Sequence, residues 1–154
     1  MKGRIIALAV ALALASVGSA GATTFSGHVL CGASCGSLLA TNGAGTLRLT
    51  GDGTSYGSVG SGTIAIKSLS RADFQVYHAR NSWKKNGFTY FWGTNLSYYV
   101  SSSSWTLKIQ GKSGITASAT AKGYGYIKGS GRWSHDGQST RNWPALGQSF
   151  RLPQ

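Results

Sequence analysis

Ser34 and Cys35 stand in the run Gly32-Ala33-Ser34-Cys35-Gly36, which has Gly-x-Ser-x-Gly spacing. That spacing exposes a serine nucleophile when it sits on a strand-turn-helix of an α/β sheet. This chain lacks the context, so a hydrolase using Ser34 or Cys35 is the third-ranked reading. His28, Cys31 and Cys35, with His78 or His135 as a fourth group, are residue types that hold zinc. The cysteines are not spaced as Cys-x-x-Cys, and an exported chain meets an oxidising compartment, so a Cys31–Cys35 disulfide is expected instead. Glycoside hydrolysis needs two carboxylates flanking a bond. The acids are Asp52, Asp73 and Asp136 alone, and two of them precede glycine in turn-like pairs. His135-Asp136 is the one acid–base dipeptide. The reading is therefore non-enzymatic, with no catalytic residue, no metal and no cofactor.

Binding residues are better represented. The chain has 15 Lys and Arg against three acids, a net charge of +12. A field of one sign favours anionic partners, while lysines at strand edges also guard against aggregation. Outward positions of the expected strands mix cations with aromatics, namely Arg48, Lys108 and Lys122 with Tyr77 and Tyr99. Trp83, Lys84 and Lys85 lead into a hairpin tip at Asn86-Gly87. Lys122-Gly123-Tyr124-Gly125-Tyr126-Ile127 resembles the first ribonucleoprotein motif of RNA-recognition and cold-shock domains, in which alternate aromatics stack on bases. The resemblance covers six residues, has Gly129 where that motif has an aromatic, and finds no companion strand, so nucleic acid is not the expected partner.

The elements that must position these residues are strands. The phrase Thr, apolar, any, apolar occurs as Thr46-Leu47-Arg48-Leu49, as Thr63-Ile64-Ala65-Ile66 and as Thr106-Leu107-Lys108-Ile109. Apolar residues two apart share one face of a strand. The first two copies follow a Gly-x-Gly and lie 17 residues apart, from Gly45 to Gly62. Strands are expected at 46–50, 55–59, 63–69, 74–79, 88–92, 96–100, 105–110, 115–122 and 124–128. Asp52-Gly53, Asn86-Gly87 and Asp136-Gly137 read as tight turns, because both residues of each pair tolerate positive φ. The alternation assigns Leu47, Leu49, Ile64, Ile66, Phe74, Val76, Leu96, Tyr98, Val100, Trp105, Leu107 and Ile109 to the core. Phe88, Tyr90 and Trp92 join them, as does the row Ile115, Ala117, Ala119, Ala121, and Phe91 is placed outside. Trp133, Trp143, Leu146 and Phe150 are expected to pack as an irregular cover. The fold expected is all-β, an antiparallel meander in a small barrel or sandwich of about eight or nine short strands, with a β-solenoid as the alternative.

The start of the chain reads as an address. Lys2 and Arg4 precede the apolar run from Ile5 to Ala15, and Ala20-Gly21-Ala22 follows, the three regions of a secretory signal peptide. Residues 1–22 are assigned to it, with cleavage after Ala22 or Ala20, and 23–154 to a single all-β domain. No segment is long and apolar enough for a membrane helix. The leader, the early cysteine pair, the Gly-x-Gly-Thr strands and Gly131-Arg132-Trp133 together resemble small, uncharacterised secreted Gly-rich proteins of the actinobacterial kind. That resemblance implies an all-β fold and carries no activity. The function expected is a secreted or wall-associated monomer that binds an anionic or carbohydrate surface polymer, with an antibacterial or toxin-like protein as the alternative.

Overall fold

The computed structural model describes Cys31 and residues 34–153. The expected leader and His28 lie outside the described residues. The fold is all-β and antiparallel. Its elements are β1 (Gly36–Ser68), a 3-10 turn (Arg71–Asp73), β2 (Phe74–Lys85), β3 (Phe88–His135), β4 (Arg141–Asn142) and β5 (Gln148–Leu152).

The expected meander of short strands is replaced by one hairpin of great length. Asn86-Gly87 forms its tip, with φ of 53° and 77° in the two turn residues. From there β2 and then β1 pair with β3, through Trp83↔Tyr90, Phe74↔Val100, Ile64↔Ile109, Leu47↔Ile127 and Leu38↔His135. β1 also pairs with β3 along its other edge, through Leu38↔Ala119, Leu47↔Ile109 and Ile64↔Phe91. Ile109 thus lies between Leu47 and Ile64, which are 17 residues apart on a single strand. A continuous strand can meet its neighbour on both edges in this way only by winding. The ribbon is coiled, and β1 advances by two strand positions at each circuit. The outer edges, β2 on one side and β4 with β5 on the other, do not pair with each other.

This coil explains the repeated phrase. Its three copies lie side by side as Leu47–Ile109–Ile64 and Leu49–Leu107–Ile66. Each of these side chains is buried, as are Ile115, Ile127, Leu96 and Val100. At about 25 cal/mol per Å² of apolar surface removed from water, such rows supply the main drive to fold. The alanine row of residues 117, 119 and 121 is also buried, and Leu38 faces Ala119 across the strands.

One expected turn is a close approach inside a strand instead. Asp52-Gly53 does not reverse the chain and belongs to β1. Gly45 and Gly129 face each other at φ of 136° and 132°, and a Cβ on either would collide with a carbonyl of the opposite strand. Glycine there lets two strands approach while they curve, without ending them. Asp136-Gly137 is a turn, as expected.

The expected face for residues 88–92 is reversed. Phe91 is buried and touches Phe74 edge-on at 6.2 Å, while Trp92 is exposed and Tyr90 half-buried. An irregularity in pairing near Gly93 and the positive φ of Asn95 shift the alternation between Phe91 and Leu96. A period-two reading carried through a bulge inverts every side chain beyond it. In the terminal cover, Trp133, Trp143 and Phe150 are buried, whereas Leu146 is 93% exposed and Phe150 lies on a regular strand.

Candidate binding face

Residues paired across strands point to the same side of a sheet. The row outside the central core therefore reads Trp83–Tyr90–Ala65–Lys108–Arg48–Tyr126. Adjacent strands lie about 4.8 Å apart, so this row spans roughly 24 Å. Beside it run Lys67–Thr106–Thr50–Tyr124–Arg151 and Asn81–Trp92–Thr63–Gln110–Thr46–Lys128. Lys85, opposite Phe88, extends the patch at the hairpin tip. No carboxylate occurs in these rows.

Rings hold the cations in place. Trp83 stacks on Tyr90 with centroids 5.3 Å apart and planes 8° apart. Lys108 Nζ lies 4.1 Å from the Phe88 centroid, the Arg48 guanidinium 5.9 Å from that of Tyr126, and Arg151 5.8 Å from that of Tyr124. Ala65, between Tyr90 and Lys108, is only 2% exposed. A large residue there would break the row, so the variable slot of the second phrase copy is small for packing.

Arg48 and Lys108 are direct cross-strand partners. Like charges in that relation oppose folding. No acid relieves them, since among the described residues neither stands within ion-pair distance of a carboxylate. Each cation instead rests over a different ring, Phe88 or Tyr126. An unrelieved like-charge pair on a sheet surface is a local cost that folding alone does not explain.

The opposite side of the coil differs. Its outward rows read Ser134–Leu39–Ser118–Tyr56–Tyr99–Gln75, Ser37–Thr120–Thr54–Ser101 and Thr116–Ser58–Ser97–Tyr77. No ionisable cation or carboxylate occurs in them. The hydroxyls bond to each other, Thr54 to Ser101 at 2.9 Å and Ser58 to Thr116 at 2.8 Å.

The expected binding residues therefore divide. Arg48, Lys108, Trp83 and Lys85 converge on the basic face. Tyr77 and Tyr99 lie on the hydroxyl face, and Tyr77 donates a hydrogen bond to Gln75. Lys122 sits opposite Asp52, so an acid adjoins its charge and it does not join the patch. Lys84 shares the row of Thr89 and Ile66, on the inner side of the sheet. Lys67, Lys128, Arg151, Tyr90, Trp92, Tyr124 and Tyr126 were absent from the expected set. Of these, Tyr124 and Tyr126 were flagged by the Lys122–Ile127 motif and do share the outer face. Gly125 leaves room for Phe150 behind the strand and not for a base in front of it. The others become neighbours only through the winding, which local alternation does not reveal.

The chemical candidates are differently placed. Cys31 and Cys35 form the expected disulfide, with Cα atoms 5.3 Å apart. Ser34 Oγ donates to the Cys31 carbonyl at 2.6 Å, in a turn before β1. His135 is buried, stacked against Trp133 and Phe150. Arg141 Nη2 donates to its Nε2 at 2.7 Å, which leaves Nδ1 to face Asp136 Oδ2 at 3.4 Å. Asp136 Oδ1 in turn accepts the Ser37 N–H at 2.8 Å. This His–Asp pair fastens the end of β3 to the start of β1 and is closed to a substrate. His78 Nδ1 lies 3.1 Å from the Asn95 carbonyl. Among the described residues no three of His, Cys, Asp and Glu converge as metal ligands do. Burial pushes the Tyr98 phenol well up, against the hydrogen bond with Ser55, so it stays neutral within the core.

A scan against protein-family models finds none that matches, and searches of curated proteins and of solved structures find no significant match. Among the described residues no helix is long and apolar enough to cross a membrane.

Proposed function

We propose that this is an exported, non-enzymatic module that lies along an anionic surface polymer through the basic, ring-lined face. The carrying observation is the cross-strand pair Arg48–Lys108 at the centre of three rows without carboxylates, flanked by Tyr126 on one side and the Tyr90–Trp83 stack on the other. Cations spaced along a row match the repeated charges of a polymer, and flat rings accept the apolar faces of sugars. The disulfide suits an oxidising compartment, and the leader expected at residues 1–22 supplies the export route.

Co-sedimentation tests the proposal, with polyphosphate, an acidic glycan and a neutral glucan as ligands. Binding to the two polyanions and not to the glucan is expected. Raising ionic strength from about 0.01 M to about 0.15 M shortens the Debye length from about 30 Å to about 8 Å and should release the bound protein. Binding that ignores salt, or no binding to either polyanion at low salt, overturns the reading.

A further inference from the structure

The interior of the coil ends differently on its two sides. Toward β5 it is filled: Phe150 occupies the space over Gly125, and its ring centroid lies 4.9 Å from that of Trp133. Toward the hairpin tip the interior positions stop being apolar. The inward row Leu49–Leu107–Ile66 runs on to Thr89 and Lys84, and a cleft of about 420 Å³ opens there. An apolar side chain at position 84 would have closed it. A lysine stands there instead, and Arg71 and Lys85 line the same cleft.

Three cations around one opening repel each other unless something anionic lies between them. Arg71 is fixed in place: Nη1 donates to the Phe74 carbonyl at 3.1 Å and the guanidinium rests 4.3 Å from that ring's centroid. Its remaining N–H groups are left for a ligand. Asp73 does not line the cleft, and its carboxylate accepts from Ser68 Oγ and the Ser70 N–H.

We infer that this cleft binds a phosphate monoester carried on a sugar. Guanidinium and ammonium groups around one opening suit a dianionic group with several acceptor oxygens. The cleft is larger than a bare ion needs and falls within the range of small-molecule sites. The half-buried Phe88 lines the cleft and offers ring surface to the sugar. The sugar phosphate is either free or the end of the polymer that the basic face grips, and the second source rests on the function proposed above.

Titration calorimetry on the full chain tests this with glucose, glucose 6-phosphate and an oligosaccharide bearing one terminal phosphate. Saturable binding of glucose 6-phosphate and none of glucose is expected. Lys84→Gln is exposed and should fold normally, and it should weaken glucose 6-phosphate about tenfold, the effect of one lost charge-assisted contact. Arg48→Gln with Lys108→Gln should leave glucose 6-phosphate binding unchanged. If the polymer end is the source, the oligosaccharide binds more tightly than the monosaccharide and loses that excess in the double variant. If free sugar phosphate is the source, both ligands bind alike. Failure of glucose 6-phosphate to bind, equal binding of glucose, or an unaffected Lys84→Gln overturns the cleft proposal. Polymer sedimentation that persists in that case leaves the basic-face reading standing.

Discussion

The two outward faces of the coil enclose one interior and differ in charge. One face sets Arg48 against Lys108, with Lys67, Lys128 and Arg151 in the flanking rows and rings beneath several of them. The other carries Ser, Thr and Tyr whose hydroxyls bond among themselves, as in Thr54–Ser101 and Ser58–Thr116. Both are built by the same strands. Arg48 and Tyr56 belong to β1, and Lys108 and Ser118 to β3. The fold itself therefore does not demand the charge. Inward residues specify the coil, and each half-circuit of outward residues is independent of the other. The hydroxyl face satisfies its polar groups locally, whereas the basic face leaves its charge unmatched and so calls for a partner.

The largest expected effect tests the shared interior. Ile109 lies between Leu47 and Ile64 and is fully buried. Ile109→Ala should cost about 2–5 kcal/mol, from lost transfer energy plus the cavity left behind. Because one core serves both faces, Trp fluorescence (weighted by the buried Trp105, Trp133 and Trp143) and far-ultraviolet dichroism should unfold together in denaturant. Separated transitions would show that the faces are independent units.

The next effect separates the faces by binding. Arg48→Gln with Lys108→Gln should lower affinity for polyphosphate by about tenfold or more, as loss of two charge contacts implies. Thr54→Ala with Tyr56→Ala on the hydroxyl face should leave it unchanged. Stability should move in the opposite sense to binding or barely move. Removing the like-charge pair relieves repulsion, while losing two cation–ring contacts offsets it, so the net change should stay within about 0.5 kcal/mol. A double variant that is strongly destabilised would make Arg48 and Lys108 structural, and the comparison of faces would lose its functional meaning.

A smaller effect belongs to the hydroxyl face. Thr116 Oγ1 accepts the Ser58 N–H at 3.0 Å and pairs with Ser58 Oγ. Thr116→Val keeps the shape and should cost about 1 kcal/mol, the net worth of a typical hydrogen bond. Polyphosphate binding should not change.

Strand identity was legible because residues such as Leu47, Ile64 and Ile109 obey a period of two. Their 17-residue echo also held the circuit length, but the third copy broke the spacing because β3 runs antiparallel between the other two. Turn chemistry was legible at Asn86-Gly87, where chain reversal needs positive φ at both residues. It misled at Asp52-Gly53, where glycine serves a close approach of strands. Part of the candidate face was readable: Arg48 and Lys108, because local alternation points them outward, and Trp83 and Lys85 beside the hairpin tip. Tyr77 and Tyr99 point outward too, yet the winding carries them to the other face, and Lys122 lies in the next row opposite Asp52. Lys84 alternates with its neighbours along β2 and so turns to the cleft side with Thr89, which local alternation at a hairpin tip does not reveal.

The smallest effect concerns the link between the faces. Residues 69–73 join β1 to β2, and Asp73 organises that link in a capping box with Ser70. The Ser68 hydroxyl, with the Ser70 N–H and Ser102, holds the Asp73 carboxyl below the usual carboxylate range, against a weaker opposing effect of burial. A group whose folded pKa is depressed stabilises the fold above its unfolded pKa, and that contribution fades as pH falls through the folded value. The wild type should therefore lose this increment between about pH 5 and about pH 2. Asp73→Asn removes the titrating charge. It should be slightly less stable than the wild type at neutral pH and equal to it at the acid end, so that the two stability–pH curves converge. Asp73 is only half-buried, and solvent screening keeps the difference small. Denaturant midpoints across that range measure it. Curves that run parallel would show that the link is held by Ser70 alone, and that joining the basic face to the hydroxyl face requires no charge.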